Sequence, residues 1–285
     1  MQQARQYYRL TKPGIVYGNL FHAIVGVLLA YRFGLNWWNV VGLIIGIAAV
    51  IASACVANNI LDRAIDARMA RTRKRSLVTR DIGVSAAVLF ALILLTVGVI
   101  VLARMTNLLT LVLTLIAYAW YVWIYGWAKR RTWLSTLIGA VPGALPVMAG
   151  YAAISGQLDL TSWVLFGMLV AWQMPHFYAI AIYRKQEYQA AKLPVASIVL
   201  SEDAVFRQTL GFGVLYSLTA VVLVAIGAIH WLPGSVWVLW SLYWLKTIAE
   251  GAQTQSDRWA RRVFRQSLLL TVVLMAVSVA TLFLQ

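Results

Sequence analysis

Between Trp37 and Arg75 the chain reads WWNVVGLIIGIAAVIASACVANNILDRAIDARMARTRKR, an apolar run that ends in an acidic step and then a basic one. A helix rising about 1.5 Å per residue needs roughly 20 residues to cross about 30 Å of hydrocarbon. Residues 38–60 meet that length without a charge. Working outward, comparable apolar runs recur at about 14–34, 82–103, 106–127, 133–154, 160–182, 208–230, 232–250 and 264–284. The expected fold is therefore an all-α integral membrane protein, a bundle of nine transmembrane helices forming one domain over residues 1–285. An apolar content of 62% with 12% charged residues leaves no room for a soluble domain.

The first run follows Arg5, Arg9 and Lys12 as the core of a signal peptide does, but it lacks a small-residue cleavage site, so it reads as a retained span. The single cysteine, Cys55, excludes an internal disulfide and a cysteine zinc site and reads as a packing residue. The net charge of +15 would suit nucleic acid if it were spread over a surface. It is not: the segment before span 1 and those after spans 2, 4, 6 and 8, counted with the span ends beside them (Lys246 and Arg265 in the last), hold 3, 7, 3, 4 and 5 of the 24 Lys and Arg residues. The positive-inside rule then places the N-terminus in the cytoplasm and the C-terminus outside, and no nucleic acid is needed to explain the charge.

Two connections on the basic side are long, about 61–81 and 183–207, four spans apart, a faint sign of internal duplication. The first carries Asn58, Asp62 and Asp66 at i, i+4 and i+8. On a helix these place three oxygen-bearing side chains on one face, where like charges repel unless a cation compensates. Magnesium suits such oxygens and is commonly held by one or two carboxylates together with substrate phosphate. Arg68, Arg71, Arg73, Lys74 and Arg75 follow, donors matched to phosphate oxygens. The alternative is that the acids pair with Arg63 and its neighbours while the basic run binds anionic lipid. The second connection opens with Arg184, Lys185 and Glu187 and is expected to face the first.

Span 6 contains Trp172-Gln173-Met174-Pro175-His176, where Pro175 is expected to kink the helix. His176 has three open readings: an iron ligand, a proton-transfer group, or a partner for the broken backbone. His22 and His230 have no such setting and stay unassigned. Aromatic residues crowd span 4, where Tyr121 and Tyr125 are candidates to stabilise a carbocation, against ordinary packing or an interfacial belt. Gly139, Pro142, Gly143, Pro146 and Gly150 in span 5 read first as close helix packing.

Asn58 through Asp66, with Arg71 through Arg75 behind them, resembles the first aspartate-rich motif of the intramembrane aromatic prenyltransferase (UbiA-type) superfamily, most closely its heme O synthase branch. Leu10 through Gly14, Lys129 through Gly150 and Trp172 through Pro194 agree in order and spacing, so the resemblance covers nearly the whole chain. It implies a helical bundle around a central cavity and transfer of a farnesyl group from farnesyl diphosphate to protoheme IX, giving heme O and diphosphate. It further implies magnesium held by Asn58, Asp62 and Asp66, with Glu187 where the second acidic motif begins, although Ala191 stands where a second acid is common. Asp62, Asp66, His176, Tyr121 and Tyr125 are then the candidate catalytic residues, and Lys12, Arg63, Arg73, Arg75, Lys129, Arg130 and Arg184 the candidate diphosphate contacts. Besides protoheme, farnesyl diphosphate and membrane lipid, the expected partners are a heme A synthase or a terminal oxidase receiving the product, in a bacterial inner membrane. Other readings are a prenyltransferase for a quinone precursor, a secondary transporter, and a non-catalytic heme-handling scaffold. Transport is disfavoured because no Asp or Glu lies mid-span.

Overall fold

The computed structural model describes residues 2–284, and among these all regular structure is helical. The helices that shape the bundle are α1 (Gln2–Leu10), α2 (Pro13–Leu29), α3 (Trp37–Leu61), α4 (Val84–Met105), α5 (Leu108–Ala128), α6 (Ser135–Ser155), α7 (Leu160–Tyr183), α8 (Glu202–Ala225), α9 (Trp231–Ala249) and α10 (Asp257–Leu282). Among the described residues seven of them, α3 to α8 and α10, are long and apolar enough to cross a membrane, and α1 with α2 make an eighth candidate bent by 52°. The bend sits at Lys12, whose φ of 51° breaks the helix before Pro13. At 17 residues α2 is short for a crossing, and it stops before the expected residue 34: Ala30 caps it, a 3-10 turn Tyr31–Phe33 follows, and Gly34, at φ 90°, ends that turn. The α9 run, expected as the eighth span, is not among the seven: its 19 residues include four Trp, one Tyr, Pro233, Gly234 and Lys246, all less hydropathic than Leu or Val.

Short polar residues start these helices where lipid offers no partner for free N–H groups. Asn36 accepts from Trp38 N at 2.9 Å, Asn107 from Thr110 N at 2.9 Å and Asp159 from Ser162 N at 3.1 Å. Ser201 and Ser256 do the same for α8 and α10, so both helices begin earlier than the apolar pattern indicates, with acidic residues in their first turns.

Helix α2 runs along α6, α6 along α7, and α7 along α8 and α10; α3 pairs with α4, and α10 returns to touch α2. Glycine permits the closest of these approaches. A Cβ at Gly26 would strike the Val147 carbonyl oxygen, and one at Gly150 the Ala23 carbonyl oxygen. Helix α7 continues through Pro175 rather than breaking. In α6, Pro142 cannot donate to the Ile138 carbonyl, and Trp120 Nε1 takes that oxygen up at 2.9 Å. Outward faces stay apolar, as Leu89, Leu92, Ile93 and Ile100 of α4 illustrate. Replacing Gly150 with Val should lower the melting temperature in detergent by about 5 °C or more, as overpacking typically costs 1–3 kcal/mol, whereas Gly167→Ala, with open space around it, should leave it unchanged.

Candidate functional site

A cavity of about 490 Å³ lies between α2, α3, α5, α6, α7 and α10, with its charged mouth at the basic end of the bundle. Helix α3 ends at Asp62, and a one-turn helix, Arg63–Asp66, continues from it. The expected face survives this break, because Asp62 N–H donates to Asn58 O at 2.9 Å and Asp66 N–H to Asp62 O at 2.8 Å. Asn58, Asp62 and Asp66 are all buried.

Each acid is neutralised by a cation from elsewhere. Lys129, just beyond α5, lies 2.5 Å from Asp62 Oδ2, and Arg130 is 3.3 Å from Oδ1. Arg75 donates to Asp66 Oδ2 at 2.7 Å and to Asn59 Oδ1 at 3.1 Å. Lys12 Nζ donates to Asn58 Oδ1 at 3.1 Å, while Asn59 Nδ2 holds the Leu10 carbonyl at 2.8 Å, tying α1 to the motif. Burial lowers the Lys12 ammonium to about 8, and it lowers Lys129 as well despite the carboxylate beside it. Arg63, expected either to pair with these acids or to contact phosphate, is exposed and bonded to neither; Arg73 is likewise exposed.

Across the mouth, Glu187 lies 3.7 Å from Arg71 and 3.8 Å from Arg184, so an ion pair joins the two long connections, as their facing arrangement requires. Among the described residues no three His, Cys, Asp or Glu side chains converge as a ready metal site, so Glu187 stands apart from Asp62 and Asp66. Arg71 was one of several basic residues in the sequence; only its partner in the second connection sets it apart.

Below the charged mouth the walls turn aromatic and apolar. Residues Trp120–Tyr125 of α5 form a π-helical turn, a feature often found at functional sites. Tyr121 and Tyr125 stack at 5.4 Å and 19° on the cavity side, and Lys129 Nζ sits 5.4 Å from the Tyr125 ring centre. Trp123 and Trp127 point outward. Gly139, Pro142, Gly143 and Pro146 line the cavity as well as packing it, and Gly139 leaves the room that the Tyr125 ring fills. Cys55 faces the cavity too, beyond its expected packing role. Trp172, Gln173, His176 and His22 line the cavity as well. Nothing around His22 in the sequence marked it; it sits in an apolar run. His230 merely caps α9, accepting from Leu232 N at 3.3 Å.

An apolar chamber with aromatic walls and a mouth carrying both buried acids and cations suits a substrate with a charged head and a long hydrocarbon tail. Such a chamber can release an anionic leaving group at the mouth while shielding a cation from water. Replacing Lys129 with Met should leave Asp62 buried beside only the half-exposed Arg130, lowering thermal stability by a few degrees in detergent, and Asp62→Asn added to it should restore most of the loss.

Comparisons with known proteins agree with this geometry. The chain is 39% identical over 268 residues to the protoheme IX farnesyltransferase of Aliivibrio salmonicida (strain LFI1238), covering 93% of this chain and 92% of that one. It is 40% identical over 277 residues to the protoheme IX farnesyltransferase of Protochlamydia amoebophila (strain UWE25), covering 94% and 95%. The fold matches that of digeranylgeranylglyceryl phosphate synthase with a TM-score of 0.82 at 14% identity, over 99% of both chains. It also matches the UbiA homologue of Archaeoglobus fulgidus bound to GPP and Mg2+, with a TM-score of 0.70 at 15% identity over 96% of this chain and 99% of that one. Residues 19–269 fit the model of the UbiA prenyltransferase family, and with relatives this similar over nearly its whole length, the chain belongs to that family.

Proposed function

We propose that this chain transfers the farnesyl group of farnesyl diphosphate to a vinyl group of protoheme IX, with addition of water, to give heme O and diphosphate. One observation carries the reading for the donor: Asn58, Asp62 and Asp66 are each paired with a Lys or Arg, and Lys129, the partner of Asp62, lines a chamber together with Tyr121 and Tyr125. Protoheme as acceptor rests on the names of the relatives. The protein is a multi-pass membrane protein; the charge distribution supports nine spans with the N-terminus in the cytoplasm and the C-terminus outside, and the bacterial sources of its relatives support a bacterial inner membrane.

The residues present fit magnesium. Asn58, Asp62 and Asp66 offer hard oxygens in successive turns, and Glu187 Oε2 is buried without a hydrogen bond. Magnesium is habitually held by one or two carboxylates and by substrate phosphate, in keeping with a mouth that has no complete protein cage. Asn58, Asp62 and Asp66 would hold it, with Glu187 offered from the facing connection; when bound, it neutralises charge on the diphosphate.

The chain's own groups do the rest. Lys12, Arg75, Lys129 and Arg130 receive the diphosphate as the allylic carbon–oxygen bond breaks, with Arg63, Arg73 and Arg184 as outer contacts. The Tyr121 and Tyr125 faces steady the farnesyl cation, and the apolar walls keep water from quenching it. The vinyl group of protoheme bonds to the farnesyl carbon, leaving a cation on the carbon beside the porphyrin. Water adds there and loses a proton, which completes the hydroxyl group. His176 lies at the acceptor end. The product would pass to a heme A synthase or a terminal oxidase.

Chromatography of heme extracted from membranes given protoheme, farnesyl diphosphate and magnesium should show a more hydrophobic heme of the farnesyl-adduct mass. Asp62→Ala and Asp66→Ala should each reduce it at least about a hundredfold, and EDTA should abolish it until magnesium is returned. Unaltered protoheme from well-folded protein that instead prenylates a quinone precursor would move the assignment to that acceptor. Tyr125→Leu should lower kcat by about tenfold with little change in KM, matching a cation–π contribution of about 1–2 kcal/mol. An alkaline phosphatase fused to the C-terminus should be active in the bacterial periplasm; an inactive fusion beside a stable protein would overturn the odd number of spans.

A further inference from the structure

Two buried imidazoles, His22 and His176, line the cavity, and their surroundings differ. His176 is held between Trp172, at 4.8 Å and 28°, and Phe264, at 4.8 Å and 39°. Its Nδ1 lies 2.7 Å from Ser267 Oγ. The Ser267 hydroxyl has a single proton, which is donated to the Phe264 carbonyl at 2.6 Å. Toward the ring, Ser267 Oγ must therefore accept, so His176 carries its proton on Nδ1 and keeps a lone pair on Nε2. The Ser267 carbonyl also accepts from Trp172 Nε1 at 2.8 Å, so one residue of α10 fixes both the imidazole and the ring stacked on it. Among the described residues Nε2 of His176 has no hydrogen-bond partner, and the imidazole lines the cavity.

His22 lines the same cavity and meets Trp172 edge-on at 5.3 Å. Its Nε2, however, is enclosed and unpartnered among the described residues, and none of these offers an acceptor that fixes its tautomer. A histidine that ligates a metal nearly always gives its other N–H to a fixed acceptor, which aims the lone pair. His176 has that acceptor and His22 does not.

Resting on the protoheme reading above, we propose that His176 Nε2 is the axial ligand of the porphyrin iron and that Ser267 is the positioning residue that keeps it in the ligating tautomer. Iron held by α7 gives the acceptor a fixed address within the cavity. It also makes the site select a metalloporphyrin over the free base, since only the former has an iron for Nε2 to bind.

The test uses the full chain in detergent without farnesyl diphosphate, titrated with protoheme or metal-free protoporphyrin, and resonance Raman spectra of the ferrous complex. Protoheme should bind at least about tenfold more tightly than protoporphyrin and show an iron–histidine stretching band. His176→Gly should lose the band and regain it when imidazole is added, while His22→Ala keeps it. Ser267→Ala should shift the band to lower frequency, as a weaker Nδ1 hydrogen bond makes a poorer ligand, and Ser267→Thr should restore it. No band in the unaltered protein, or a band that survives in His176→Gly, overturns the ligand; an unshifted band in Ser267→Ala overturns the positioning role. A ligated protein that makes no farnesylated heme counts against the reaction alone, whereas turnover with a spectrum indifferent to His176→Gly counts against the ligand alone.

Discussion

Asp62 and Asp66 are carboxylates withdrawn from water at the end of α3, and a charge in that position without a partner costs several kcal/mol. The need to match them organises one whole end of the bundle. Lys129 reaches Asp62 from the foot of α5, so α5 is held against α3, and Arg75 folds the first connection back onto Asp66 and Asn59. Asn59 in turn grips the Leu10 carbonyl and Lys12 meets Asn58, which draws the bend between α1 and α2 over the same spot. Pairs of this kind add little net stability, but removing one partner is expensive. A substrate that supplies its own negative charge and its own metal exchanges partners with such an array without leaving any charge bare.

The charged mouth and the aromatic chamber divide the chemistry between them. Cations and hard oxygens gather where a diphosphate would sit, whereas the walls below offer stacked phenol faces and hydrocarbon. Helix α5 carries both halves: Tyr121, Tyr125 and Lys129, four apart, share its inner side while Trp123 and Trp127 stay on the outer one.

What could be read from the sequence followed the range of the interactions. The apolar runs and the Asn58, Asp62, Asp66 spacing are local: among the described residues seven of the runs, or eight with the bent α1 and α2, reach spanning length and apolarity, and the spacing carried through even across a helix break. The partner of Asp62 is 67 residues away, and no spacing rule connects Lys129 to it; only family resemblance brought that lysine into the site. Arg63, adjacent to Asp62, was the obvious local partner and points elsewhere. Helix starts at Ser201 and Ser256 were missed because capping extends a helix past its apolar stretch into charged turns. Ser267 gave no sign at all, since a serine in an apolar helix reads as packing until its bond to a ring 91 positions earlier is seen.

Helix α10 closes the bundle by touching both α2 and α7; its Leu268 lines the cavity, and its Ser267 holds the His176 ring that does the same. One helix thus supplies a wall and also fixes a group on the neighbouring wall. A substitution that loosens α10 from α7 therefore opens the chamber to lipid and frees the imidazole together, so that enclosure and the aim of His176 are lost as one.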